Sequence, residues 1–291
     1  MNILYVSDLD GTLLQDDATL SSFSKQALQE LLNRGLPFTV ASARSIASIR
    51  TILAGLSLRL PVIEFNGAFL SDLASGQHLV VNDIAPAVAQ DLYELILSSG
   101  NVPFLSTFDG ARDRLYYSDI LNEGMQWYIE DCRVRGDRRL CHIADLALAF
   151  RDRVVCLTTI GREQQLAEME QTVLERHADA VETHVFENRY SPGWHWLTVH
   201  DRRATKDQAI RIVINEWGLE GSELVVFGDN INDLKMFRLA DRAIAVENAI
   251  EQVKAAATEV IGSNSTDSVV RFIRKDWHIP TDSPLKSDLE K

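Results

Sequence analysis

The chain has 291 residues, 46% of them hydrophobic and 24% charged, which suits a water-exposed globular fold with a sizeable core and room for two domains. A formal net charge of -13 argues against nucleic acid or an anionic membrane as a partner, and no apolar run approaches the ~20 residues of a membrane-crossing helix. Three cysteines, Cys132, Cys141 and Cys156, without CxxC spacing indicate neither a disulfide framework nor zinc, and the chain reads as cytoplasmic.

The elements follow in order. Asn2-Ile3-Leu4-Tyr5-Val6 is strand-like and runs into Ser7-Asp8-Leu9-Asp10-Gly11-Thr12. Two carboxylates one residue apart at the end of an apolar strand imply a bound cation. A helix capped by Ser21 or Ser22, with Ala27, Leu28, Leu31 and Leu32 on one face, precedes a strand at 37–41. A short helix with Ile46, Ile49 and Leu53 leads to a strand at 61–65. This alternation predicts a doubly wound, Rossmann-like parallel sheet.

The rhythm then changes. Hairpins at 69–81 and 102–118, helices at 84–97, 122–134 and 162–177, and strands at 154–160, 181–186 and 194–199 predict an α+β module. Residues 83–190 are read as an inserted cap domain, with 1–82 and 191–280 as the two parts of the core and 281–291 as a loose tail. The first rhythm returns with a helix at 206–217, the apolar strand Leu224-Val225-Val226-Phe227, a helix, a strand at 243–246 and a helix at 250–257.

After that apolar strand stands a second acidic cluster, Gly228-Asp229-Asn230-Ile231-Asn232-Asp233. Either cluster alone reads equally well as a solvated turn. Two of them after matching strands converge on one edge of a parallel sheet and offer hard oxygen ligands suited to Mg²⁺. An EF-hand is excluded, because Leu13 stands where its glycine belongs and its closing glutamate is absent. GxGxxG, GxxxxGK, HExxH and GxSxG are all missing.

Four motifs in order resemble those of the haloacid dehalogenase superfamily, in particular its Cof-type phosphatases with a large α/β cap. Asp8-Leu9-Asp10-Gly11-Thr12 resembles the first, Ser42 within Ala41-Ser42-Ala43-Arg44 the second, Lys206 the third, and the cluster 228–233 the fourth. The resemblance implies that Asp8 attacks phosphorus to form an aspartyl-phosphate and that Asp10 acts as acid and then base. It implies Mg²⁺ held by Asp8, the backbone carbonyl of Asp10, and Asp229, with Asp233 beside it as a further ligand or orienting a metal-bound water or Lys206. Ser42, Ala43, Lys206 and Asn232 are implied as phosphate-binding residues. Departures from the usual pattern are Ala43 in place of glycine, and Asp267-Ser268-Val269 where Asp-Gly-Val is common.

The implied activity is Mg²⁺-dependent hydrolysis of a small phosphorylated metabolite, a sugar phosphate or similar phosphomonoester. A phosphomutase sharing the intermediate, and a non-catalytic phospho-ligand-binding regulator, are the rival readings. Arg112, Arg114, Arg133, Arg135, Arg138 and Arg139 read as a solvated face or as contacts to a second anionic group. Trp194 and Trp196 read as packing at the return to the core.

Overall fold

In the computed structural model, which describes residues 3–188 and 190–277, Leu4, Tyr5 and Val6 are fully buried in β1 (Ile3–Ser7). An unbroken apolar run is what a strand covered on both faces needs. The turn after it places Gly11 at φ +80°, and α1 (Ser22–Asn33) starts at Ser21, whose hydroxyl oxygen accepts from the Ser24 amide. β2 (Phe38–Val40), α2 (Ile46–Ile52), β3 (Val62–Glu64), β4 (Phe69–Ser71) and β5 (His78–Val81) follow.

The middle of the chain forms α3 (Pro86–Ser98), β6 (Phe104–Phe108), β7 (Asp113–Tyr117), α4 (Glu123–Val134) and β8 (Leu140–His142). It continues through β9 (Arg153–Gly161), α5 (Glu163–His177), β10 (Val181–Glu187) and β11 (His195–Asp201). Asn122 caps α4 by accepting from the Met125 amide. The last stretch is α6 (Lys206–Glu216), β12 (Glu223–Gly228), α7 (Leu234–Leu239) and β13 (Arg242–Val246), then α8 (Glu251–Ala256), β14 (Glu259–Ile261) and α9 (Ser268–Asp276). The residues assigned to a loose tail, 281–291, lie outside those described. Among the described residues no helix is long and apolar enough to cross a membrane.

The chain divides into two units. One takes its described residues from Met1–Thr39, Ile52–Leu60 and Leu219–Lys291, and the other comprises Val40–Thr51 and Pro61–Gly218. The first is built on the parallel sheet β14-β13-β12-β1-β2, with α9 packed against α1. β1 and β12 run in register from Ile3 opposite Glu223 to Ser7 opposite Phe227, so both strands end at one edge.

The second unit holds the six-stranded sheet β10-β11-β9-β6-β7-β8, antiparallel except for the β7–β8 pair. Leu92, Leu157, Leu166, Val173 and Leu197 join α3 and α5 to it, while Phe104, Met125, Ile129, Ile160 and Trp196 join α4. It also holds the small antiparallel sheet β3-β4-β5. The strand at 61–65 therefore differs from its expected place in the parallel sheet: its ladder is antiparallel, to β4, and its parallel link is one bridge between Ala41 and Ile63. The reversal is immediate, through Phe65, Asn66 and Gly67 at φ +46°, +55° and +115°, and an adjacent returning strand needs no crossover.

Candidate active site

Because β1 and β12 end in register, Asp8 and Asp229 leave the sheet side by side. The Asp8 amide donates to Phe227 O at 3.0 Å, and the Ser7 hydroxyl donates to Asp8 O at 2.7 Å. One further turn brings in Asp233. Asp8, Asp229 and Asp233 are 5%, 4% and 0% exposed, and one carboxylate oxygen from each lies within 4.8 Å of the others.

The surroundings orient these acids. Asp233 Oδ2 accepts from the Asp229 and Asn230 amides at 2.9 and 3.0 Å, and Thr12 Oγ1 donates to Asp229 Oδ1 at 2.8 Å. Gly228 is required by space, since a Cβ there would meet Asp233 Cβ, Cγ and Oδ2 at 2.6 Å. Asn248 Nδ2 donates to Gly11 O at 2.7 Å and its Oδ1 accepts from the Asn264 amide at 3.0 Å, which ties the first acidic turn to later segments. Three buried carboxylates so close repel one another when ionised, and an all-oxygen donor set is what a hard divalent cation takes. The residues present therefore fit such an ion.

Asp10 is half-buried in the turn, and its carboxylate is not among the grouped three. Asn232, also half-buried, shares the second turn with Asp233. The other predicted residues belong to the second unit. Ser42, 1% exposed, follows β2 by two residues: its amide donates to Ile63 O at 2.9 Å, its hydroxyl oxygen accepts from the Arg44 amide at 3.1 Å, and Ala43 beside it is exposed. Lys206 opens α6 and is buried, as lysine rarely is without partners. Gly67 presses on the residue before it, where a Cβ would come within 2.6 Å of Thr205 O.

Four of the six arginines singled out above have carboxylate partners: Arg114 with Asp109, Arg133 with Glu130, Arg135 with Asp131, and Arg139 with Asp137. Trp194 lies under the Arg162 guanidinium at 3.8 Å, and Trp196 is in the α4 cluster. Thr12 and Gly228 stand in the quoted motifs, but sequence reasoning assigned neither a role of its own; for Gly228 the visible signal was a glycine between a buried strand and an acid.

The chain is similar to known proteins over most of its length. The sequence model for haloacid dehalogenase-like hydrolases matches residues 5–273. A curated relative, 5-amino-6-(5-phospho-D-ribitylamino)uracil phosphatase YwtE of Bacillus subtilis (strain 168), is 25% identical over 283 residues, 91% of this chain and 95% of its own. The crystal structure of TM0651 from Thermotoga maritima superposes with a TM-score of 0.76 at 28% identity, covering 97% of this chain and all of the other. A subclass IIB sugar phosphatase of the same superfamily shares the fold, with a TM-score of 0.73 at 21% identity, covering 94% of this chain and 98% of its own.

Proposed function

The chain belongs to the haloacid dehalogenase-like hydrolase family and is a phosphatase of it, and from that premise we propose that it hydrolyses a small phosphomonoester through an aspartyl-phosphate on Asp8, with Mg²⁺ as cofactor. The observation that carries this reading is the buried group Asp8, Asp229 and Asp233, whose oxygens converge within 4.8 Å. These three side chains and the backbone carbonyl of Asp10 would hold the ion, which when bound offsets the charge of the carboxylates and of the phosphoryl group.

The remaining chemistry falls to the chain. An Asp8 carboxylate oxygen forms a bond to phosphorus as the bond to the leaving oxygen breaks, and Asp10 gives that oxygen its proton. Asp10 then takes a proton from the water that attacks the acyl phosphate, which returns Asp8 as a free carboxylate and releases phosphate. Ser42 through its hydroxyl, Ala43 through its amide, Lys206 through its ammonium and Asn232 through its side chain are assigned to the phosphoryl oxygens. Asp233 is assigned to orientation as well as to the ion. Residues 83–190 are read as the inserted domain in which substrate selection resides, and the cytoplasm as the compartment.

Purified protein with Mg²⁺ should release phosphate from p-nitrophenyl phosphate, and EDTA should abolish this. Asp8→Asn should be inactive, and activity retained by that variant would sink the covalent mechanism. A panel of sugar phosphates and ribitylamino phosphates, the latter being what the Bacillus relative's name specifies, identifies the substrate. Isomer formation without phosphate release would instead make the enzyme a phosphomutase.

A further inference from the structure

Glu64, at the end of β3, is a fully buried carboxylate. Its Oε2 accepts from the amide of Ile46, the first residue of α2, and its Oε1 accepts from the Ser71 hydroxyl on β4. His78 Nδ1 lies 3.2 Å from Glu64 Oε1 and 2.7 Å from Ser71 Oγ. The other ring nitrogen, Nε2, lies 2.8 Å from Asp113 Oδ1 on β7. The imidazole is stacked on Phe69 with centroids 4.0 Å apart, and Phe108 meets it edge-on at 4.9 Å. All of these residues belong to the second unit.

The segment between β2 and α2 is bound by its main chain to the same strand and to the turn that follows it. Ser42 N donates to Ile63 O at 2.9 Å, Phe65 N to Arg44 O at 3.1 Å, and Asn66 N to Ser42 O at 2.9 Å. A neutral Ser or Asn could cap α2 just as well. A buried carboxylate there is costly unless paired, so its presence calls for a reason beyond helix capping. The pairing is provided by His78, and with it the carboxylate orientation is fixed from both sides.

We propose that Glu64 is a positioning residue: held by Ser71 and His78, its carboxylate fixes the Ser42–Ile46 segment and so the place at which the Ser42 hydroxyl and Ala43 amide meet a phosphoryl group. This rests on the phosphate-binding role given to Ser42 and Ala43 above. Glutamine has the same shape but a single acceptor oxygen, so one side of the site would face an NH₂ group instead. The charged groups around His78 are Glu64 and Asp113, with Arg139 next to Asp113. Burial works against the imidazolium, but hydrogen bonds to Asp113 and Glu64 outweigh it and raise the His78 pKa to about 9. The clamp is therefore complete at neutral pH and loses one of its N–H donors as pH rises through about 9.

The test compares wild type, Glu64→Gln and Ser42→Ala, with p-nitrophenyl phosphate as substrate and inorganic phosphate as competitive inhibitor. Glu64→Gln should raise KM and the phosphate inhibition constant about tenfold, as loss of a charge-assisted hydrogen bond allows, and alter kcat less than about threefold. In wild type both constants should rise as pH passes about 9, a rise that Glu64→Gln no longer shows. If Ser42→Ala raises KM and Glu64→Gln leaves it within about twofold of wild type, the positioning role is overturned. If Ser42→Ala itself changes nothing, the phosphate reading beneath it has failed. Should Glu64→Gln not fold, a wild-type KM that stays flat from about pH 8 to 10 overturns the role, and a rise with its midpoint near 9 supports it.

Discussion

The hydrogen bond from Thr12 to Asp229 links the two acidic turns directly, because donor and acceptor stand 217 residues apart in sequence. Groups that orient metal-binding carboxylates typically govern affinity by about 10- to 100-fold. Thr12→Val keeps the shape and deletes the donor, so the Mg²⁺ concentration for half-maximal hydrolysis should rise at least about tenfold. Mg²⁺ titration of phosphate release checks this, with an unchanged melting temperature as the control. The acids were legible in the sequence because each follows an apolar strand at a glycine-marked turn. Thr12 was not, because its meaning depends on a partner that only strand pairing brings near. Glu64 was hidden for the same reason: it reads as one more residue of a short strand until Ile46, Ser71 and His78 surround it.

At the scale of elements, α9 fastens to the parallel sheet through polar groups as well as through buried Val269, Val270 and Ile273. Asp276 accepts from Tyr5 Oη at 2.7 Å and from both terminal nitrogens of Arg242 at 2.8 and 2.6 Å, while Arg242 Nε donates to Glu223 at 2.7 Å. Burial, reinforced by the Asp276 carboxylate, pushes the Tyr5 phenol well above its ordinary pKa, so it stays a donor throughout the useful pH range. Asp276→Ala should cost about 1–2 kcal/mol, the ion pair being partly solvated, and urea unfolding measures the loss. Long periodic elements such as α1 and α6 were readable from their apolar stripes. β8 and β14, with three residues each, have no period to display and exist through their neighbours. The antiparallel ladder of β3 was equally invisible, since pairing partners are not written into a strand's own residues.

Over the molecule as a whole, two histidines of the second unit tilt stability in opposite directions. His78 is raised to about 9, so its contribution is complete below its ordinary 6.5 and is lost as pH climbs through about 9. His200 is 1% exposed and is lowered to about 3 by burial and by the neighbouring His184, so its contribution is complete above 6.5 and is lost as pH falls toward about 3. The melting temperature should therefore peak near pH 6.5. His78→Gln should flatten the alkaline limb and His200→Phe the acid one, and a wild-type melting temperature unchanged between pH 6.5 and 9 would contradict the linkage. The parallel pairing of β1 with β12 has a consequence in time. Ile3 finds Glu223 only after about 220 further residues exist, which at roughly 5–20 residues per second on the ribosome is about 10–45 seconds. Throughout that interval the apolar run Leu4-Tyr5-Val6 has no β12 beside it, whereas the hairpins of the second unit can close over short loops as they emerge. The strand that leads into Asp8 is synthesised first and installed late, so holding it unaggregated is a burden on the nascent chain.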